Sequence, residues 1–120
     1  MERIAAALAG SPRPPSVMAG LVPQVVPDAI VIRPDGPWIS RGGDGRPVRF
    51  TSNMERYSAI CATRVSDPGS AMADLYLYAR AVLEAASDEG WDWVEVGALA
   101  LDTSTDTPLL VTSVRLTYSG

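Results

Sequence analysis

The stretch DPGSAMADLYLYARAVLEAASDEG, from Asp67 to Gly90, predicts one amphipathic helix with a signal at each end. Asp67 is a preferred residue immediately before a helix, and Pro68 suits the first helical position, where its missing N–H is not needed. Gly90 supplies the left-handed conformation that commonly ends a helix. We therefore predict a main helix over about residues 68–88.

One face of this helix is predicted to be apolar, because hydrophobic side chains recur at steps of three and four residues. The predicted face consists of Met72, Leu75, Tyr76, Ala79, Val82, Leu83 and Ala86. Such a face must pack against another layer, and runs with strand character lie on both sides of the helix in the chain. We therefore expect the helix to lie on a sheet.

The runs with strand character are 29–32, 48–65, 91–101 and 109–118. Short helices are predicted at 2–9 and 17–22. This order indicates an α+β fold, with a mostly antiparallel (mixed) sheet of about four to five strands and with the main helix and the short N-terminal helix on one face. In the run 91–101, alternation assigns Val94, Val96, Ala98 and Ala100 to the helix side, and Trp91, Trp93, Leu99 and Leu101 to the opposite side.

The length and composition indicate one soluble domain, 1–120. Of the 120 residues 47% are hydrophobic, which is enough for a substantial core. The net charge of −4 gives no support for a nucleic-acid-binding protein, because such proteins are usually basic. No run approaches the roughly 20 apolar residues that a membrane-spanning helix needs.

A Gly/Arg-rich loop at about 34–53 is predicted to project from the domain, because the segment PWISRGGDGRP is too rich in glycine for a packed element. The side chains of interest in and beside it are Arg33, Trp38, Arg41, Arg46 and Arg49. Arg and Trp are common anchors of protein interfaces, so this loop is a candidate docking surface. The alternative interpretation is an ordinary polar loop.

Residues suited to catalysis are scarce. The chain has no His and one cysteine, Cys61, which excludes Ser-His-Asp and Cys-His machinery and the zinc sites built on those ligands. Cys61 lies in an apolar alternating run and is expected to be a buried structural thiol. Asp92, Asp102 and Asp106 are the remaining carboxylate candidates for a metal site, against their interpretation as solvated turn residues. We therefore predict no enzyme activity, catalytic residue, cofactor or metal.

The order of elements resembles that of the tail-terminator proteins of long-tailed (siphovirus-like) bacteriophages, or of a related head–tail neck protein. The resemblance rests on the passage ERYSAICATRVSDPGSAMADLYLYARAVLEAA, the closing VRLTYSG, the short N-terminal helix and the long loop. It implies a structural virion protein that forms a ring, a homohexamer, at the head-proximal end of the tail tube. Such a ring terminates tail polymerisation and forms the head–tail connection.

The resemblance also implies partners and a location. The ring would contact the tail-tube protein and head-completion or neck proteins, and DNA would pass through its lumen without specific binding. It would be assembled in the host cytoplasm and reside in the tail or neck of the virion, with no membrane contact. A closed ring needs two different complementary patches on each subunit. The Arg-bearing loop is one candidate patch, and an acidic surface with Asp88, Glu89 and Asp92 is the other.

Three alternatives remain open at this point. The first is another phage neck or tail component, such as a head-completion, adaptor or tail-tube subunit. The second is a small metal-binding α+β enzyme that uses the aspartates named above. The third is a dimeric interaction module that associates through Trp91 and Trp93.

Overall fold

A mixed six-stranded sheet with two helices on one face makes up the fold of the computed structural model, which describes residues 2–11, 14–20, 27–40, 54–65, 68–91, 93–103 and 108–119. The elements are α1 (Glu2–Leu8), β1 (Ser16–Ala19), β2 (Ala29–Ser40), β3 (Met54–Arg64), α2 (Pro68–Glu89), β4 (Trp93–Val96), β5 (Ala100–Asp102) and β6 (Leu109–Ser119). The predicted α+β fold with two helices on one face is confirmed, with one strand more than expected.

The sheet has the strand order β1-β2-β3-β6-β4, and β5 also pairs with β6. β1 pairs with β2 in parallel, and the other described pairings are antiparallel. β3 is the central strand, where Ala59 lies opposite Ile32 on one side and Val114 on the other. The two edges of the sheet are therefore unlike, with β1 at one edge and β4 and β5 at the other.

The helix predicted at 17–22 is wrong for its first residues, because 16–19 form strand β1. Val17 and Met18 lie opposite Ile30 and Val31 of the apolar strand β2. Pairing with a strand already in the sheet outweighs the weak local preference for a helix, since β-branched and apolar residues suit a half-buried strand. Residues 21–26 lie outside the described part of the chain.

The loop predicted at 34–53 begins later than expected, because β2 continues to Ser40. The ladder between β2 and β3 shifts its register between Pro34 and Ile39, and Ser40 pairs with Met54 beyond the shift. Such an irregularity lets a strand pass through prolines, which lack a ladder N–H. The rest of the predicted loop, 41–53, lies outside the described residues.

The helix α2 spans Pro68–Glu89 as predicted, but its buried face is partly different. Leu75 and Val82 are buried as expected, whereas Met72 and Tyr76 are 55% and 63% exposed and Tyr78 is fully buried. The residues that join the buried face without having been predicted are Ala71, Asp74, Tyr78, Ala81 and Ala85. Alanine side chains are small, so the face that carries them can approach the sheet closely. This face therefore packs against the sheet, and the predicted face with more large side chains does not.

The end of α2 at Gly90 is confirmed. Gly90 has a φ of 81°, and its N–H donates to the carbonyl oxygen of Ser87 at 3.3 Å. The N–H of Trp91 donates to the carbonyl oxygen of Ala86 at 3.1 Å. These two bonds are those of a Schellman motif, which reverses the chain and directs the following apolar residue back onto the helix and core.

The single strand predicted over 91–101 is interrupted by a bulge. Val96 pairs with Val114 and Ala100 with Val111, so four steps along this segment match three along β6, leaving one extra residue. The Gly97 N–H donates to the Ser113 carbonyl oxygen at 2.8 Å, and the Thr112 hydroxyl donates to the Gly97 carbonyl oxygen at 3.0 Å. The bulge is therefore tied to β6 by both backbone and side chain.

The bulge reverses the predicted alternation beyond Gly97. Leu101 lies opposite Leu110, which packs against the helix-side core, while Ala98 and Ala100 line a cavity on the opposite face. The predicted sides of Leu101, Ala98 and Ala100 are therefore wrong, because one inserted residue moves every later side chain to the other face of a strand.

Candidate functional site

The predicted basic site residues are only partly described. Arg33 is an exposed residue of β2, opposite Ser58, and it lines a cavity on the sheet face away from the helices together with Ile60. Trp38 belongs to β2, but its side chain lies outside the described residues. Arg41, Arg46 and Arg49 also lie outside them. Their role at an interface therefore stays a prediction.

The predicted acidic residues Asp88 and Glu89 lie in the last turn of α2, and both are exposed. Asp88 forms a 3.1 Å ion pair with Arg3 of α1, which joins the two helices at the surface. Glu89 accepts a 3.4 Å hydrogen bond from the indole Nε1–H of Trp91. Asp92 lies outside the described residues. Of the two described acidic residues, Glu89 lines a cavity described below.

That cavity, here called the aromatic–acidic cavity, has a volume of about 310 Å³ and opens at the helix side of the sheet. It is lined by Ile32, Glu55, Tyr57, Glu89, Trp91 and Tyr118. The volume is at the lower end of the range of roughly 300–1,000 Å³ that is typical of ligand pockets. The cavity is thus large enough for a side chain or a small molecule.

Three aromatic rings form the walls of the aromatic–acidic cavity. The ring centroids of Tyr57 and Trp91 are 5.5 Å apart with an 87° angle between planes. Those of Trp91 and Tyr118 are 5.8 Å apart at 67°. Both pairs have the edge-to-face geometry that aromatic rings prefer. The Trp91 ring therefore contacts both tyrosine rings, and these contacts hold its orientation.

Two carboxylates belong to the same cavity. Glu55 Oε1 accepts a 2.9 Å hydrogen bond from the Tyr57 hydroxyl, and Glu89 accepts the bond from Trp91. Each carboxylate is thus held by one of the aromatic rings. Among the described residues that line this cavity none is basic, so the two carboxylates give this part of the lining a negative formal charge.

The sequence interpretation missed Tyr57 and Tyr118 as site residues, and it named Trp91 as a dimer contact on the wrong side of the sheet. Trp91 is half-buried and packs against the helix-side core. The signal was present in the chain, because an apolar residue immediately after a helix-ending glycine commonly packs back onto that helix. Trp91 therefore does not lie on the face where the dimer interface of Trp91 and Trp93 was predicted. The Trp93 side chain lies outside the described residues.

A further cavity, here called the opposite-face cavity and distinct from the one lined by Arg33 and Ile60, lies on the side of the sheet away from the helices and has a volume of about 280 Å³. It is lined by Asp35, Arg56, Tyr57, Glu95, Arg115, Leu116 and Thr117. Glu95 and Arg115 are opposite each other in the pairing of β4 with β6. The two acidic and two basic residues balance, so this cavity lacks the one-sided charge of the aromatic–acidic cavity.

The edge segment, defined as residues 96–101, exposes several apolar side chains. The exposed fractions are 40% for Val96, 50% for Leu99 and 60% for Leu101, and the two alanines between them are exposed as well. The segment lies at the outer side of β6 and contains the bulge. Large apolar side chains exposed close together along one segment often mark an interaction site.

The prediction that Cys61 is a buried structural thiol is confirmed. It is fully buried in the helix-side core, and burial raises the pKa of its thiol from the ordinary 9.0 to about 12. A thiol with such a pKa is protonated at neutral pH and is a poor nucleophile.

Within the ranges that the structure describes, no three His, Cys, Asp or Glu residues are close enough together to hold a metal ion. Of the three aspartates considered for a metal site, Asp92 and Asp106 lie outside those ranges. Among the same residues, no helix has the length and apolar character to cross a bilayer.

Comparison with known proteins adds no family to this description. No protein-family model matches the chain, and no curated protein matches its sequence. The function is therefore argued from the fold, the edge segment and the cavities.

Proposed function

We propose that this protein is a structural subunit of a phage head–tail neck, of the tail-terminator type. In this proposal, identical copies associate head to tail into a closed ring, which the resemblance implies is a homohexamer. The ring ends polymerisation of the tail tube and provides the surface that joins the tail to the head. DNA passes through the lumen without specific binding.

The observation that carries this proposal is the difference between the two edges of the sheet. A ring built head to tail requires two unlike surfaces on each subunit. One edge is the exposed apolar edge segment, and the other is the four-residue strand β1, in which Val17 and Met18 are half-buried. A monomer with an open apolar edge is prone to self-association, so an edge of this kind fits a subunit that is covered by a neighbour.

The charge of the chain supports the same proposal. The net charge of −4 suits a lumen through which DNA slides, because an acidic surface repels phosphates. The two helices lie on one face, and no described helix covers the opposite face of the sheet, where a partner could bind.

The proposal is tested by light scattering and negative-stain electron microscopy of the purified chain across a concentration series. We expect closed rings of uniform diameter, alone or with added tail-tube protein. Leu101→Asp is expected to shift the assembly toward monomer, because a charge replaces an apolar contact. The matched control is Met72→Asp, since Met72 is similarly exposed, at 55%, but lies on α2.

Other outcomes contradict the proposal. Long tubes of indefinite length would assign the chain to the tail tube. A protein that stays monomeric at every concentration, with and without tube protein, would remove the ring altogether. Equal disruption by Leu101→Asp and Met72→Asp would remove the edge segment as the specific contact.

A further inference from the structure

The aromatic–acidic cavity combines features that suit an organic cation. Its aromatic walls are Tyr57, Trp91 and Tyr118, and its carboxylates belong to Glu55 and Glu89. The faces of Trp and Tyr rings attract cations, and carboxylates add charge attraction and hydrogen-bond acceptors. Among its described lining residues, the opposite-face cavity has balanced charges and one aromatic side chain, so it offers no comparable attraction.

Among biological cations, a guanidinium group fits this combination best. It is planar, so it stacks on an aromatic ring, and its fork of N–H donors pairs with carboxylate oxygens. A Lys ammonium is a compact, strongly hydrated charge that stacks less well. The Glu55 and Glu89 carboxylates each accept one bond from an aromatic residue and keep further lone pairs for a bound cation.

We propose that the aromatic–acidic cavity binds the guanidinium group of an arginine side chain from a second copy of this chain. All ten basic residues of the sequence are arginines, so every basic side chain that a second copy presents is a guanidinium. The second-copy part of this inference rests on the proposed ring, whereas the preference of the cavity for a guanidinium does not.

Charge complementarity selects the segment 41–53 of the second copy as the source. It contains Arg41, Arg46 and Arg49 and one acidic residue, Asp44, so its net charge is three minus one, or +2. The cavity contributes the two negative charges of Glu55 and Glu89. An acidic receptor and a basic segment on the same chain are the unlike surfaces that a head-to-tail contact needs.

The cavity is tested first with a soluble probe, N-acetyl-arginine amide, by following the indole Nε1–H resonance of Trp91 in NMR spectra. We expect a saturable shift of this resonance in the natural chain. N-acetyl-lysine amide should bind the natural chain roughly three- to tenfold more weakly than the arginine probe does, and the arginine probe should bind the Glu55→Gln/Glu89→Gln variant more weakly by a similar factor. Glu84→Gln/Glu95→Gln removes the same charge elsewhere and should leave the shift unchanged. Glu84 is an exposed partner of Arg80, and Glu95 lies on the opposite face.

The second copy is tested by mixing two variants in sedimentation experiments. Glu55→Gln/Glu89→Gln impairs the cavity and keeps the arginines, whereas Arg41→Gln/Arg46→Gln/Arg49→Gln keeps the cavity and lacks the donors. We expect each variant alone to associate roughly tenfold more weakly than the natural chain. A 1:1 mixture should form heterodimers, because one variant supplies the intact cavity and the other the intact arginines.

The outcomes separate this inference from the ring proposal. Rings that persist in both variants, with no probe-dependent shift at Trp91, overturn the inference and leave the ring standing. A Trp91 shift that depends on the arginines but not on protein concentration places the arginine within the same chain and overturns the second-copy contact. Absence of any self-association by the natural chain overturns both the ring and the second-copy contact, while the probe still reports on the cavity itself.

Discussion

The two halves of the central strand β3 have different surroundings although they belong to one continuous ladder. At its C-terminal half, Ala59, Cys61 and Thr63 are fully buried, and α2 covers Ala59 and Cys61 in the helix-side core. At its N-terminal half, Glu55 and Tyr57 are half-buried and line the aromatic–acidic cavity. The C-terminal half, here called the covered half, is part of the hydrophobic core. The N-terminal half, here called the open half, contributes an aromatic ring and a carboxylate to the cavity.

The difference between the halves follows from where α2 ends. The Schellman motif at Gly90 stops the helix, and Trp91 then packs beside Tyr57 and Tyr118. At this end of the sheet, Trp91 therefore packs where a longer α2 would otherwise cover the strands. Buried core residues and cavity-lining residues thus lie next to each other on one strand. We expect mutations in the covered half to affect stability more than mutations in the open half.

The largest expected effect on stability comes from Leu75→Ala, which removes a core side chain of α2 that packs on the covered half. Leu75 is 1% exposed, so the substitution should lower the free energy of unfolding by about 2–5 kcal/mol through lost burial and the cavity left behind. Leu77→Ala is the matched control on the same helix, because Leu77 is 37% exposed. Chemical denaturation measures both, and an equal loss in the two variants would contradict the assigned helix face.

A second test uses the pH dependence of stability at Cys61. Above pH 9 the unfolded thiol loses its proton, whereas the folded thiol has its pKa raised to about 12 and keeps it. The folded state then binds more protons, so this contribution is fully present below pH 9 and is lost as pH rises from about 9 to 12. The expected loss is about 1.4 kcal/mol per pH unit in that window.

The matched variant for this test is Cys61→Ala, which lacks the thiol and should lack this part of the pH dependence. Denaturation curves at several pH values between 8 and 11 give the difference between the two proteins. Parallel loss of stability in both would show that other groups cause it. Reaction of the folded natural chain with a thiol reagent should also be slow until denaturant exposes Cys61.

Gly90→Ala tests the boundary between the two halves. A φ of 81° is unfavourable for a residue with a Cβ, so the substitution should destabilise the fold by about 1 kcal/mol. Gly69→Ala, at a helical position in the first turn of α2, should instead be neutral or stabilising by up to about 1 kcal/mol. A thermal melt compares the two, and a neutral Gly90→Ala would contradict the left-handed cap.

The smallest effect is expected at the surface next to the open half. The Arg3–Asp88 ion pair joins exposed side chains, so Asp88→Asn should change the free energy of unfolding by at most about 0.5 kcal/mol. The change should shrink further in high salt because mobile ions screen exposed charges. A loss of more than about 2 kcal/mol in denaturation experiments would mean that this pair contributes to the fold far more than its exposure suggests.

Much of the fold was predictable from local signals. The helix from Pro68 to Glu89, its end at Gly90, the buried thiol and the α+β class followed from capping residues and periodicity. The aromatic–acidic cavity was not predictable to the same degree: of its described residues, the prediction included Glu89 as part of an acidic patch and Trp91 as a dimer contact on the other face. Its walls come from β3, the residue after α2 and β6, which the chain separates and the sheet brings together.

The sequence by itself determined where the main helix begins and ends, because caps, prolines and glycines act on the backbone within a few residues. Only the tertiary structure decided which faces are covered. It buried Tyr78 in place of Tyr76, reversed the alternation after Gly97 through one extra residue, and turned Trp91 onto the core. These outcomes depend on close packing between layers and on strand register, which are properties of contacts between distant segments.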